Sequence, residues 1–190
     1  MKLNAAPRIL IVAGVCIAAL IGLVVSEGSA RDGGQEVLLR MQAVDPRALL
    51  SGHYVDINLT ERLDQECPPG ADQRWIALRP DNEAYVLAGG AASRDQAQQV
   101  GPLPVRGSFA CSPPINVDGG EPIPGFTQLD IGISRFHINQ TDALRIEEIL
   151  RDQRFDETTR AYAIVSVGRD GRARLRGIMV DGERLELSWL

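Results

Sequence analysis

Residues 9–25, ILIVAGVCIAALIGLVV, form an unbroken apolar run. At the helical rise this run spans about 25 Å, the lower limit for crossing the hydrocarbon core of a bilayer. From residue 36 onward the pattern changes. Short stretches of alternating apolar and polar positions are separated by turn residues, which is the period of half-buried strands. Residues 36–44 predict a first strand leaving the Gly-rich segment 31–34. Residues 54–59 predict a second, in which Tyr54, Val55, Ile57 and Leu59 alternate loosely with Asp56 and Asn58. Between them, Asp45-Pro46-Arg47 opens a turn, because Pro46 fixes its own φ and biases Asp45 away from the helical region. Ser51-Gly52 makes a second break.

Farther along, residues 74–78 and 84–87 flank the turn Pro80-Asp81-Asn82 and predict a hairpin. Residues 89–125 are dominated by Gly, Pro, Ser and Gln, with Pro102, Pro104, Pro113, Pro114, Pro122 and Pro124. They predict a long irregular region carrying one strand at 105–110, and a loop of that size is functional or mobile. Residues 127–133 alternate as a strand. Residues 141–151 predict a helix, with Ala143, Ile146 and Leu150 on one face and Asn139 or Thr141 as cap. Three strands follow, separated by Asp170-Gly171 and Asp181-Gly182, both two-residue hairpin signals. The fold class expected is mainly β (α+β): one N-terminal transmembrane helix, then a single antiparallel β-rich domain with one amphipathic helix. The organisation is a basic N-terminus (1–8), a membrane anchor (9–25), a linker (26–35) and the domain (36–190).

The stretch SGHYVDINL at 51–59, preceded by VDPRALL, resembles the signature of the GDYXXLXY family of membrane-anchored bacterial proteins. Gly52 and Tyr54 match the motif. His53 stands where the motif has Asp, Ile57 replaces its Leu, and Leu59 replaces its final Tyr. IGISRF at 131–136, followed by the acidic Glu147, and DGRARLRGIMVDG near the end are similar in order and spacing to the family's later blocks. The resemblance spans roughly residues 36–187 and implies a membrane-anchored bacterial protein without an assigned activity. Because the acidic position is changed, no role for it passes to His53. The motif residues, with the turn residues Asp45 and Pro46, are read as structural.

Charge places the domain. Lys2 and Arg8 precede or border the apolar run and no acidic residue occurs before Glu27, so the positive-inside rule puts the N-terminus in the cytoplasm and the domain in the periplasm, at the bacterial inner membrane. The run is longer than the apolar region of a cleaved signal peptide, which favours an uncleaved signal anchor; Gly28-Ser29-Ala30 leaves cleavage after Ala30 as the competing reading. All 25 acidic residues but only 18 of the 20 basic ones follow the run, giving the exported part a formal charge of −7. That balance argues against nucleic acid as a partner and against a surface that hugs anionic lipid.

Cys67 and Cys111 are the only cysteines after the anchor, and an oxidising compartment makes them a candidate disulfide. Two free thiols, a redox pair without CxxC spacing, or a zinc site with His53 and His137 are the alternatives. Cys16, inside the run, reads as a small lipid-facing or packed residue. A Ser-Lys hydrolase is excluded, since the only lysine is Lys2, on the cytoplasmic side. Ser51, His53 and Asp56 are close in sequence, but strand alternation sends Asp56 to the opposite side, so hydrolase chemistry on His53 or His137 is the weakest reading. Arg172, Arg174 and Arg176 share one face of a strand and are a candidate anion or partner face; the plainer reading is a solvated sheet face with Glu183 or Glu186 nearby. Trp75 and Trp189 read as core or rim packing, and the Gly pairs 89–90 and 119–120 as turns. No cofactor or metal is implied. The function expected is a non-catalytic accessory or scaffold domain that binds another envelope protein. The alternative is a binding module for a small molecule or cell-wall fragment.

Overall fold

The computed structural model describes residues 5–41, 54–63, 66–70, 73–115, 117, 120, 123–137 and 161–186. The chain opens on helix α1 (Ala5–Asp32), whose apolar window has a mean hydropathy of 2.9 and none of it buried against protein. It is long and apolar enough to cross a membrane. Segment 26–35, expected to be a linker, is helical as far as Asp32, because Ser26 to Asp32 contain no residue that cannot continue a helix. Gly33 and Gly34 end it, the Gly33 N–H donating to the Ser29 carbonyl at 2.9 Å. Two residues therefore separate the helix from the first strand.

The main sheet is built from β1 (Gln35–Arg40), β4 (Trp75–Asp81), β5 (Ala84–Ala91), β6 (Leu103–Arg106), β10 (Ala161–Val167), β11 (Ala173–Val180) and β12 (Glu183–Glu186). Their order is β12-β11-β10-β1-β5-β4-β6. The β1–β5 pair is parallel and the other neighbours are antiparallel. The sequence of β10, AYAIVSV, is buried at all seven positions. That continuous burial belongs to an interior strand covered on both faces, where alternation fades.

A second layer holds β2 (Tyr54–Asp56) paired with β9 (Arg135–His137), and β3 (Thr60–Leu63), β8 (Gly125–Asp130) and β7 (Ser108–Ser112) in the order β3-β8-β7. Residues 54–63 change partner midway. Tyr54 is in register with His137, the Ile57 N–H donates to the Ser134 carbonyl, and Thr60 is in register with Gln128. One apolar core lies between the layers. Val37, Leu39, Ile76, Leu78, Val165 and Ile178 of the main sheet meet Ile57, Leu59, Phe109 and Phe136.

Residues 89–125 are more ordered than their composition predicts. They contain helix α2 (Arg94–Val100), capped by the Ser93 side chain, together with β6 and β7. The helix buries Ala97 against Ala77 and Ala91 on the outer face of β4 and β5. Its sequence, RDQAQQV, has too few apolar residues for a periodic signal. Gly89 and Gly90 are not a turn but strand residues near the end of β5. There the Pro69–Gly70 backbone crosses so closely that a Cβ on Gly90 would overlap Gly70, and the Gly90 N–H donates to the Pro69 carbonyl at 2.8 Å.

Asp181-Gly182 forms the expected two-residue turn, both residues with positive φ. Asp170-Gly171 does not. The Gly168 N–H donates to the Arg172 carbonyl at 3.0 Å, which leaves residues 169–171 as a three-residue loop in which the Gly171 N–H donates to the Gly168 carbonyl and Gly171 alone has a positive φ. The helix expected at 141–151 lies outside the described residues.

The main sheet is strongly curled. In a flat sheet the four strand spacings from β10 to β6 would separate them by about 19 Å. Instead the Arg106 N–H on β6 donates to the Gly171 carbonyl at 2.8 Å, closing the β10–β11 turn onto the far edge.

Candidate functional site

Between the end of the main sheet and the second layer lies a cleft of about 1100 Å³. The main sheet contributes Arg40 and Met41 at the end of β1, the β4–β5 turn from Asp81 to Ala84, and Ala161 and Tyr162 at the start of β10. The second layer contributes Asn58, Thr60, Glu61 and Arg62, with Phe126 and Gln128 of β8. Alternation along 57–59 assigns the first roles here. Ile57 and Leu59 are buried in the core, while Asn58 between them faces the other way. The Asn58 amide oxygen accepts from the Thr60 hydroxyl at 2.8 Å and from the Gln128 amide at 3.1 Å, which holds it at the rim.

Glu61 is the unusual group in the cleft. It faces Thr127 across the β3–β8 pair, and burial pushes its carboxyl above the usual range, against the opposing pull of Arg40. Arg40 is itself 3.8 Å from Asp81, so its charge is shared between two carboxylates. The arrangement can hold a polar ligand through Arg40, Asn58 and Gln128, and can offer a carboxyl group that takes up a proton more readily than a solvated one.

The sign of the Glu61 shift makes a prediction. A carboxyl raised in the folded state binds its proton more tightly there than in the unfolded chain. Its ionised form therefore weakens the fold above the folded pKa, and stability recovers as pH falls toward the unfolded value. Glu61→Gln is expected to raise the melting temperature modestly at pH 7 and to leave it unchanged near pH 4. Melts of both proteins across that range check this, and a variant melting below the wild type at pH 7 would contradict it.

The structure distributes the sequence-predicted residues unevenly. Gly52, His53, Asp45, Pro46 and Trp189 lie outside the described residues. Tyr54 is on β2, opposite His137 on β9. Ile57 and Leu59 are core residues, 8% and 2% exposed. Cys67 and Cys111 are joined by a disulfide with a Cα–Cα distance of 6.0 Å, which removes the free-thiol and zinc alternatives for these two sulfurs. Cys16 is exposed on α1.

Arg172, Arg174 and Arg176 do not present unopposed charge. Arg174 bonds Glu27 of α1 at 2.6 Å and Asp170 at 3.2 Å. Arg176 bonds Glu36 at 3.1 Å, which also takes Arg184, and Arg172 lies 3.9 Å from Asp170. The Arg174 guanidinium holds the Asp170 carboxyl below the usual range. Asp170 is local to Arg172 and Arg174, but Glu27 lies 147 residues from Arg174 and Glu36 lies 148 from Arg184, so no local pattern announces those pairs.

Sequence reasoning missed the cleft for the same reason. Arg40, Glu61, Asp81 and Gln128 have no common spacing, and only the handover of residues 54–63 from β9 to β8 brings them together. A family model described as "GDYXXLXY protein" matches residues 16–178, most of the chain. No curated protein and no solved structure matches.

Proposed function

The chain belongs to the GDYXXLXY family, and from that premise we propose that it is a non-catalytic accessory domain that binds another envelope protein. In this reading α1 holds it in the bacterial inner membrane, with the N-terminus in the cytoplasm and the β-rich domain in the periplasm. The observation that carries the reading is an exposed apolar group beyond β7. Ile115 and Ile123 are joined by two backbone hydrogen bonds of 2.9 Å, yet they are 61% and 55% exposed, and Val117, two residues after Ile115, is 44% exposed. Apolar side chains gathered on a strand-paired excursion, away from the core, fit burial against a protein surface. The orientation rests on Lys2 and Arg8 before the apolar run and the absence of acidic residues until Glu27.

The test is purification of the tagged full-length chain from detergent-solubilised membranes. A membrane protein that copurifies near stoichiometry, and that Ile115→Asp with Ile123→Asp releases while the melt is unchanged, is the expected result. A partner that remains on the variant, or a wild-type chain that elutes alone, counts against it.

The cleft favours a second reading, a binding module for a polar small molecule or cell-wall fragment. Soluble peptidoglycan fragments would then raise the melting temperature of the wild type, and the rise would shrink in Arg40→Ala.

A further inference from the structure

The membrane-proximal end of the domain is decided by α1. Val25 closes the apolar run, and Glu27, two residues on, lies about 3 Å farther along the helix axis. Glu27 bonds Arg174 at 2.6 Å, and the same guanidinium reaches Asp170 of the β10–β11 turn at 3.2 Å. The tip of that turn is thus held level with Glu27. The headgroup layer on each side of a bilayer is about 5–7 Å thick, so the turn stands within it once α1 spans the membrane.

The side chains at that level suit it. Arg169 is exposed and the Arg172 side chain is 62% exposed. Arg106 reaches across from β6, its Nε donating to the Asp170 carbonyl at 2.9 Å, and its guanidinium lies 5.1 Å from the centre of the half-buried Trp75 ring. The Trp75 ring in turn covers Gly171, where a Cβ would run into it. Four arginines, Arg106, Arg169, Arg172 and Arg174, face two carboxylates, Glu27 and Asp170. This end is locally positive although the exported part as a whole carries −7. Tryptophan beside arginine is the composition of a membrane–water boundary, where the ring sits among headgroups and the guanidinium meets phosphate.

We propose that the β10–β11 turn, with Arg169, Arg172 and Trp75, is a docking surface for the phosphate headgroups of the bilayer that α1 enters, so that the domain lies against the membrane in a fixed orientation. The surface rests on the membrane-spanning reading of α1 given under Proposed function. Its chemistry is phosphodiester recognition by exposed guanidinium groups, backed by an aromatic ring at the interface. The −7 charge had spoken against any lipid-facing surface, but a sum over the whole domain does not set the sign at one end of it.

The experiment uses the full-length chain carrying Trp189→Phe, so that Trp75 is the remaining tryptophan. It is reconstituted in vesicles of phosphatidylethanolamine and phosphatidylglycerol with acyl chains brominated near the headgroup. Should Trp189→Phe melt below the wild type, the Trp75 signal is read in the wild-type chain as the difference from Trp75→Phe. Trp75 fluorescence is expected to be quenched by the brominated lipid, and Arg169→Glu with Arg172→Glu to reduce the quenching by about half or more. Flotation with the vesicles is scored in parallel. A chain that floats with Trp75 unquenched, or with quenching unaffected by the double variant, overturns the docking surface and leaves the anchor standing. A chain that fails to float overturns both.

Discussion

Phe109→Ala is expected to lower the stability of the domain by about 3–5 kcal/mol, the range for removing a buried aromatic ring. The ring is 2% exposed on β7 and forms part of the core between the layers. One of its edges lies against Gly90 of β5, where a Cβ would be 3.1 Å from Cε1. Glycine has no side chain to move into the space an alanine would leave, and its backbone is pinned by the Pro69 carbonyl. The cavity should therefore stay open, and the loss should fall in the upper part of the range. Phe109→Leu, which refills most of the volume, should recover most of it. Denaturant melts of the three proteins in one detergent check this. A loss below about 1 kcal/mol for Phe109→Ala would mean that the second layer is not packed on the main sheet as described.

Opening the Cys67–Cys111 disulfide is expected to cost about 3–4 kcal/mol. The bridge spans a sequence separation of 44, and in the chain-entropy model a closed loop of that length removes about this much free energy's worth of freedom from the unfolded chain. The native geometry adds a local consequence. Cys111 is on β7, and Cys67 belongs to the segment whose Pro69 and Gly70 lie across Gly89 and Gly90 of β5. The bridge thus fastens a crossing segment that has no regular strand pairing of its own. Reductant should lower the wild-type melting temperature by about 10 °C, to that of Cys67→Ser with Cys111→Ser, and should not change the variant. If the double variant melts with the wild type, the loop is constrained by its packing and the covalent link adds nothing.

The two changes act through different states. Phe109→Ala removes contacts from the folded protein, whereas opening the disulfide mainly enlarges the unfolded ensemble. Combining them distinguishes these routes. Additive losses are expected if the ring stays packed without the bridge. A combined loss smaller than the sum would mean that the bridge is what positions β7 for Phe109 to pack.

Local signals in the chain were read well where one segment carries its own evidence. The apolar run, the burial of Ile57 and Leu59, and the Asp181-Gly182 turn depend on neighbours within a few residues and take the expected form. The hairpin expected around Pro80-Asp81-Asn82 forms with its turn shifted to Asn82-Glu83, because Pro80 and Asp81 pair with Tyr85 and Ala84. The failures share a cause as well. α2 was hidden because a short helix that buries one alanine, Ala97, against Ala77 and Ala91 needs no apolar periodicity. Gly89-Gly90 looked like a turn because glycine serves equally where another backbone passes close by. Segment 26–35 carries no sequence sign that Glu27 within it pairs with Arg174, 147 residues away.

By itself, the sequence determined that a membrane-compatible helix precedes a mainly β domain, that two cysteines were available to pair after it, and which family the chain resembles. These are properties of composition and short-range periodicity, and they survive without knowing which strands are neighbours. Only the tertiary structure decided that β1 pairs in parallel with β5, that Glu61 is desolvated beside Arg40 and Asp81, and that Arg174 clamps the end of α1 to the β10–β11 turn. Each of these depends on a register between segments far apart in the chain. A strand's alternation names the face it buries but not the strand it buries it beside, so the charges that meet across the sheets cannot be paired until the fold has chosen their neighbours.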